Sequence, residues 1–192
     1  MARFALLLAL LLSMLSLPIA AVADEHEEED DFGRMGAYVI GRVKWATVDS
    51  NHPFGPANTL DWQSNAGMDV VLGWRETDML AIEAEFEWIT SVDGIEYGTW
   101  LLGVGTKFYA MTGRVQPYLV LGFNGMWAKV PDNPDHKVDW GFRQGIGLDF
   151  YLTRSLALTG EGTFTEGVGS LRRHYYATVG MGVLYRFGGT DF

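Results

Sequence analysis

The sequence predicts an all-β fold, an eight-stranded antiparallel up-and-down barrel that crosses a membrane. In eight stretches of the chain, apolar and polar residues alternate with a period of two. This pattern is typical of β-strands that have one apolar face and one polar face. The connections between them alternate between short and long, as in a membrane barrel. The chain contains no cysteine, so disulfide bonds do not stabilise it. A closed barrel needs none, because its strands satisfy every backbone polar group in lipid.

Residues 1–23 have the features of a secretory signal peptide. Arg3 supplies a positive start, residues 4–17 are almost wholly apolar, and Ala21-Val22-Ala23 matches a cleavage site. A transmembrane anchor helix is the alternative, but the apolar run is short for a bilayer and acidic residues follow at once. We therefore expect the mature chain to be exported.

Residues 24–34 form an acidic segment ahead of the barrel. Residues 24–31 read DEHEEEDD, and such a run of like charges repels itself, so we expect disorder here. A solvated tail is the favoured interpretation, and weak binding of divalent cations is the alternative. The whole chain has a formal net charge of −10, which argues against nucleic acid as a partner.

The barrel is predicted over residues 35–187, followed by a short tail at 188–192. Its organising stretch is the last strand, which alternates strictly and ends on an aromatic residue, and which must pair with the first strand to close the barrel. An even number of strands suits a bacterial single-chain barrel. The predicted strands are Met35–Val48, Ala66–Arg75, Met79–Ser91, Thr99–Ala110, Val115–Ala128, Asp139–Tyr151, Leu156–Thr165 and Tyr175–Phe187.

Connection lengths orient the predicted barrel. Residues 76–78, 111–114 and 152–155 are tight turns, whereas the other four connections are longer and mostly rich in Gly, Pro, Asp and Asn. Short turns face the periplasm in such barrels and longer loops face outward. Both termini are then expected on the periplasmic side.

Aromatic residues indicate that the apolar face points to lipid. A soluble barrel would show the same alternation with its faces reversed, but it has no reason to sort aromatic residues by height. Two aromatic belts bounding an aliphatic band are typical of membrane interfaces. The predicted interface aromatics are Trp45, Trp88, Trp100, Trp127 and Trp140 at one end and Trp74, Phe108, Phe150, Tyr185 and Phe187 at the other.

Charged residues occupy the opposite, lumen-facing positions. In a space only one side chain wide, they are interpreted as a paired polar plug, because isolated charges there are costly. An ion-conducting or gated channel is the alternative. The predicted lumen charges are Arg42, Lys44, Arg75, Lys107, Arg143 and Arg186 against Asp69, Glu83, Glu85, Glu87, Asp139, Asp149 and Glu161.

Several stretches resemble a known family. They are GAYVIGRV at 36–43, Pro117-Tyr118, GIGLDFYLTRSLALTGEGTF at 145–164 and the terminal strand to Phe187. With them the chain resembles the eight-stranded outer-membrane β-barrel family, which includes the OmpA transmembrane domain and the OmpX-type and opacity-type proteins. The resemblance covers about residues 35–187. It implies an outer-membrane location in a Gram-negative cell envelope, and a terminal strand that the barrel-assembly machinery reads.

Some barrels of that family modify lipid A, so an enzyme is a rival class. The candidates are Ser50 with His52, and Ser170 with His174 and Glu166; all lie in predicted loops, where such residues are common. Asp132, Asp135 and His136 could in principle bind a cation, but they are better interpreted as solvated residues of a turn. We expect no catalytic residue, no cofactor and no bound metal.

The function expected from the sequence is therefore that of a small outer-membrane barrel with a structural or surface-interaction role and a plugged lumen. A narrow channel for ions or small solutes is the first alternative, and a lipid-modifying enzyme is the second. The expected partners are outer-membrane lipid and lipopolysaccharide, together with the assembly machinery. A monomer and no nucleic acid are expected.

Overall fold

The chain folds into a closed barrel in which each strand pairs antiparallel with the next and β8 pairs with β1. The computed structural model describes residues 32–49, 63–91, 99–129, 136–168 and 175–187. The predicted fold class is confirmed. The strands are β1 Gly36–Asp49, β2 Gln63–Thr77, β3 Leu80–Ser91, β4 Thr99–Tyr109, β5 Val115–Lys129, β6 His136–Tyr151, β7 Leu156–Gly167 and β8 Tyr175–Arg186.

Closure of the barrel rests on the pairing of β8 with β1, from Tyr38 opposite Arg186 to Asp49 opposite Tyr175. The ladder continues one step beyond β8, since the backbone N–H of Phe187 donates to the carbonyl oxygen of Ala37 at 3.0 Å. No sheet edge remains along this seam, as a barrel in lipid requires.

Several strands extend further than their side-chain pattern suggested. β2 begins at Gln63 rather than Ala66, β6 begins at His136 rather than Asp139, and β7 continues to Gly167 rather than Thr165. The added residues of β2 pair with the end of β1. Backbone hydrogen bonding therefore continues beyond the stretch in which apolar and polar residues alternate.

The three short connections lie at the same end of the barrel as the start of β1 and the end of β8, and we call this the turn end. The opposite end, where the longer connections lie, is the loop end. A β-bulge between Arg75 and Thr77 shifts the β2–β3 register at the turn end. In the β6–β7 turn, the hydroxyl oxygen of Thr153 accepts hydrogen bonds from the backbone N–H groups of Ser155 and Leu156 at 3.2 and 3.0 Å.

Phe32 packs into the turn end, although the sequence placed it in the acidic segment expected to be disordered. Its side chain is buried, and its ring lies 5.6 Å from that of Tyr151. The carbonyl oxygen of Phe32 also accepts a hydrogen bond from Arg186 at 2.8 Å. Burying an aromatic ring at the turn end of the barrel is favourable because it removes apolar surface from water. This gain does not depend on the charge of the residues before Phe32.

Apolar side chains fill both ends of the interior. At the loop end Ile89, Leu101 and Met126 are buried, and Leu101 lies opposite both Met126 and Glu87. A larger buried cluster extends toward the turn end. Its members are Phe32, Tyr38, Ile40, Val71, Ala81, Tyr109, Tyr118, Tyr151, Ala157 and Leu184.

Candidate functional site

The barrel interior gathers nearly all of the charged residues that the sequence placed there. Twelve of them are at most 6% exposed. Asp139, near the loop end, is half-buried, and its carboxylate accepts a hydrogen bond from the backbone N–H of Trp140 at 2.9 Å. The twelve are Arg42, Lys44, Asp69, Arg75, Glu83, Glu85, Glu87, Lys107, Arg143, Asp149, Glu161 and Arg186.

Arg42 on β1 contacts carboxylates from strands on either side of its own strand. Its Nε donates to both carboxylate oxygens of Asp69, at 3.0 and 2.9 Å, on the neighbouring strand β2. Its Nη1 lies 2.6 Å from a carboxylate oxygen of Glu161 on β7. Arg143 on β6 completes the group by contacting both Glu85 and Glu161. A bidentate pair and two shared carboxylates hold these strands in one arrangement.

Lys44 lies among three carboxylates that are close enough to hold a metal ion. One oxygen from each of Asp69, Glu85 and Glu87 lies within 4.8 Å of the others. The Lys44 ammonium is 2.5 Å from Asp69 and 3.0 Å from Glu85, and it also contacts Glu87. It therefore occupies the position of a bound cation and supplies the charge that such a cation would bring.

Nearer the turn end, Lys107 lies in a cage of aromatic rings and carboxylates. Its Nζ is 3.0 Å from Glu83 and 4.1 Å from the centre of the Tyr118 ring, and Tyr38 and Tyr109 lie further out at 5.8 and 6.0 Å. Ion pairing and cation–π attraction together replace the water that a buried ammonium loses.

The tyrosines of this cage also hydrogen-bond to carboxylates. Tyr38 donates to Glu83 at 2.7 Å, and Tyr118 donates to Glu161 at 3.1 Å. Tyr109 donates to Asp149 at 3.1 Å. The sequence analysis missed Tyr38 and Tyr109, because it assigned aromatic residues mainly to lipid. Their positions in the alternation, the same as those of Arg42 and Lys107, carried the signal.

Glycine makes room for two of these rings. A Cβ at Gly73 would overlap the ring of Tyr38, and a Cβ at Gly147 would overlap the ring of Tyr118. Each glycine lies opposite its tyrosine on the neighbouring strand. The lumen glycines are therefore required for close approach, which lets large side chains cross a narrow space.

The two interior arginines nearest the turn end bind neutral groups. Arg75 donates to Gln116 at 2.6 Å and to the carbonyl oxygens of Thr77 and Asp78. Arg186 donates to the carbonyl of Phe32 and to the hydroxyl of Tyr151. Among the described residues, no ion pair joins either arginine to a carboxylate.

Most of the loop residues considered for catalysis or cation binding lie outside the described part of the chain. Ser50, His52, Ser170 and His174 lie outside the described residues, as do Asp132 and Asp135. Glu166 is exposed on β7, and His136 begins β6. In the described part of the chain, no helix is long and apolar enough to cross a membrane.

Comparison with known proteins identifies the family. Residues 7–187 match the model of the outer membrane protein beta-barrel domain. The chain belongs to this family. It is a bacterial outer-membrane protein. A search of curated proteins gives no match.

Solved outer-membrane barrels share the fold at low sequence identity. Neisserial surface protein A is 15% identical, with a TM-score of 0.63 over 79% of this chain and 97% of that one. OprG from Pseudomonas aeruginosa is 14% identical, with a TM-score of 0.53 over 82% and 99%. The N-terminal barrel domain of OprF from the same organism is 13% identical, with a TM-score of 0.50 over 79% and 100%.

The outward face of this outer-membrane barrel is apolar. The register places Trp88 beside Trp100 and Trp100 beside Trp127, so three adjacent strands carry a row of indoles. The rings of Trp88 and Trp100 stack at 5.7 Å. All ten predicted interface aromatics lie on this face, with Trp88 half-buried and the other nine exposed: Trp45, Trp74, Trp100, Phe108, Trp127, Trp140, Phe150, Tyr185 and Phe187.

Proposed function

We propose that this outer-membrane protein is a closed barrel that anchors its longer loops at the cell surface, and that it passes no solute and catalyses no reaction. The observation that supports this proposal is the filled interior. Buried side chains follow one another from Leu101 and Met126 at the loop end, through the Arg42 and Lys107 groups, to Tyr151 at the turn end. Eight strands enclose a space that side chains can fill, whereas wide aqueous channels need about sixteen.

The charges of the interior favour one closed arrangement over an open one. Glu85 is shared by Lys44 and Arg143, and Glu161 is shared by Arg42 and Arg143. Moving any one of these side chains out of the axis leaves at least one buried partner uncompensated. Breaking a buried pair in this way costs about 3–5 kcal/mol. A permanent water-filled path would require several such losses at once.

The surface role is supported by the connections at the loop end. Residues 50–62, 92–98, 130–135 and 168–174 join strands there, on the side that faces outward in outer-membrane barrels. The most similar structure described above is named a surface protein. We propose lipid and lipopolysaccharide as contacts of the outer face, recognition of the Tyr175–Phe187 strand by the assembly machinery, and a monomeric state.

Planar-bilayer recording tests the closed state directly. The purified protein, shown to be folded by its heat-modifiable gel migration, should give no stable porin-sized conductance. The triple variant Glu83→Gln, Glu85→Gln, Glu87→Gln should open transiently, because Lys44 and Lys107 lose carboxylate partners. Glu166→Gln, at an exposed position of β7, is the matched control and should stay closed.

Steady large openings in the unmodified protein would overturn this proposal. If the ion preference of those openings then changed in the triple variant but not in Glu166→Gln, the carboxylates would line a conducting path. The narrow-channel function would be the better account in that case.

A further inference from the structure

One polar side chain interrupts the apolar outer face of β6. Gln144 lies on the same face as Trp140, Ile146 and Phe150, and it is exposed. Along the strand it is four residues from Trp140 and six from Phe150. With a rise of about 3.3 Å per residue and a strand tilt of about 40°, its backbone lies about 10 Å deeper in the membrane than that of Trp140. Gln144 is therefore inside the hydrocarbon layer, in the half nearer the loop end.

The side-chain amide of Gln144 has no partner in the described part of the chain. It forms no hydrogen bond there, and the residues opposite Gln144 on the two neighbouring strands are Leu121 and Phe164. Placing an amide in hydrocarbon without a hydrogen bond is strongly unfavourable. Polar residues at such depth are rare, and those that occur are associated with function. A polar group from outside the chain must reach this depth for the amide to be satisfied.

A shallow groove on the outer face begins beside Gln144. Its floor is formed by Gly160 and Gly162 of β7, where an added Cβ would meet no atom closer than 3.9 Å. Val179 and Met181 on β8 are 68% and 69% exposed, because the glycines leave their β7 sides uncovered. The register places four apolar side chains along the two sides of this groove: Ile146 and Leu148 on β6, and Val179 and Met181 on β8.

The width of the groove suits one acyl chain. β6 and β8 flank β7, so the two walls stand on strands about 9.6 Å apart, and their side chains narrow the space between them. The outer surface of a second barrel is convex and wider than this space, so it cannot enter the groove. A flexible hydrocarbon chain can enter it and contact both walls.

We propose that this groove binds one acyl chain of lipopolysaccharide, which lies along Gly160 and Gly162 and hydrogen-bonds to the amide of Gln144. The inference rests on the lipopolysaccharide contact of the proposed function, and it names the site and the chemical group that is recognised. Acyl chains of lipopolysaccharide carry hydroxyl groups and ester oxygens below the headgroup, whereas those of phospholipids are plain hydrocarbon. An amide accepts from a hydroxyl and donates to an ester carbonyl. The loop end faces the outer leaflet, where lipopolysaccharide lies.

Native mass spectrometry of protein extracted from lipid vesicles tests this site. The vesicles contain phosphatidylethanolamine and increasing amounts of a lipopolysaccharide with a short sugar chain. The unmodified protein should retain one tightly held lipopolysaccharide molecule. Gln144→Leu should weaken retention by about three- to tenfold, the factor expected for one hydrogen bond. Gly162→Val fills the groove and should weaken retention at least as much.

Two substitutions elsewhere on the outer face are matched controls. Thr106→Val removes a polar group from β4, and Gly41→Val adds a side chain to β1 where a Cβ meets no atom within 4 Å. Neither residue borders the groove, so retention should not change. The proposal is overturned if the controls lose as much as the site variants, or if neither site variant loses retention.

The same experiment separates this proposal from the proposed function. Equal retention by the unmodified protein and Gln144→Leu would exclude recognition through the amide, but would leave the general contact with lipopolysaccharide intact. Absence of retention by every protein would overturn both. Planar-bilayer recording of Gln144→Leu should show the closed state of the unmodified protein, because the substitution does not touch the interior.

Unfolding in urea distinguishes lipid binding from a purely structural role of Gln144. In phosphatidylcholine vesicles, Gln144→Leu should raise the urea midpoint, because an unpaired amide is removed from hydrocarbon. In vesicles that contain lipopolysaccharide this gain should shrink, because the unmodified protein then forms its hydrogen bond. An equal gain in both kinds of vesicle would contradict binding through the amide.

A second copy of the chain is the competing partner for Gln144. Two such amides could pair across a two-fold axis in the membrane. The mass spectra should show a monomer with bound lipid. A dimer that forms without lipopolysaccharide and is lost in Gln144→Leu would overturn the lipid assignment.

Discussion

The two faces of a single strand show how differently this barrel treats lipid and its own interior. On β3, Ile82 and Phe86 point outward and are 54% and 40% exposed, whereas Glu83, Glu85 and Glu87 lie between and beside them and are buried. The outward residues need only an apolar surrounding, which lipid supplies everywhere. The inward residues need particular partners. The effect of a substitution on the outer face should therefore depend on its depth in the membrane. On the inner face it should depend on whether a charged residue loses its partner.

Loss of one interior carboxylate should have the largest effect on stability. Glu161→Ala removes the partner shared by Arg42, Arg143 and Tyr118, and leaving buried charges uncompensated costs about 3–5 kcal/mol. Reversible urea unfolding of the protein in lipid vesicles measures the change in the free energy of unfolding. Glu166→Ala, at an exposed position of the same strand, should change it little, and similar losses at both positions would show that pairing is unimportant.

A charge on the outer face should have the next largest effect, and that effect should depend on depth. Leu121→Arg lies in the middle of β5 and should lower the free energy of unfolding by about 2–4 kcal/mol. Val115→Arg lies on the same face of β5 at the turn end and should cost about 0–1 kcal/mol, because its side chain reaches the interface. The same urea titrations compare the two. A cost that did not vary with depth would contradict a lipid-facing surface.

A methyl group added to the interior should cost less than a charge, but more than one added outside. Gly147→Ala forces the Tyr118 ring to move and threatens its hydrogen bond to Glu161, so overpacking should cost about 1–3 kcal/mol. At Gly41, on the outer face, an added Cβ meets no atom within 4 Å. Gly41→Ala should therefore be close to neutral in the same unfolding measurement. Equal losses of unfolding free energy for Gly147→Ala and Gly41→Ala would contradict close packing of Tyr118 against Gly147.

The smallest effect is expected for a single ring pair on the outer face. The stacked rings of Trp88 and Trp100 should contribute about 0.5–1.5 kcal/mol beyond their burial. Because each tryptophan also contacts lipid, single variants overstate this contribution. A double-mutant cycle with Trp88→Leu and Trp100→Leu isolates the coupling free energy between the rings. A coupling free energy of zero would show that the stacked rings do not stabilise each other and that each indole contributes through its contact with lipid.

The sequence by itself determined which face of each strand points where. Successive side chains of a strand alternate between its two sides, so the parity of Glu83, Glu85 and Glu87 placed all three on one face before any partner was known. Connection lengths likewise determined the order and direction of the strands, because a tight turn joins only antiparallel neighbours. The face on which a side chain lies and the direction of a strand can both be predicted from a few adjacent residues.

Only the tertiary structure decided which interior residues meet. Glu161 on β7 binds Arg42 on β1, two strands away, and Lys107 lies among three tyrosines from β1, β4 and β5, because the stagger of the strands sets which heights coincide. Strand periodicity contains no information about that stagger. Phe32 was missed for a related reason: its acidic neighbours predict disorder, whereas its own burial depends on an apolar mouth that exists only once β8 has closed on β1.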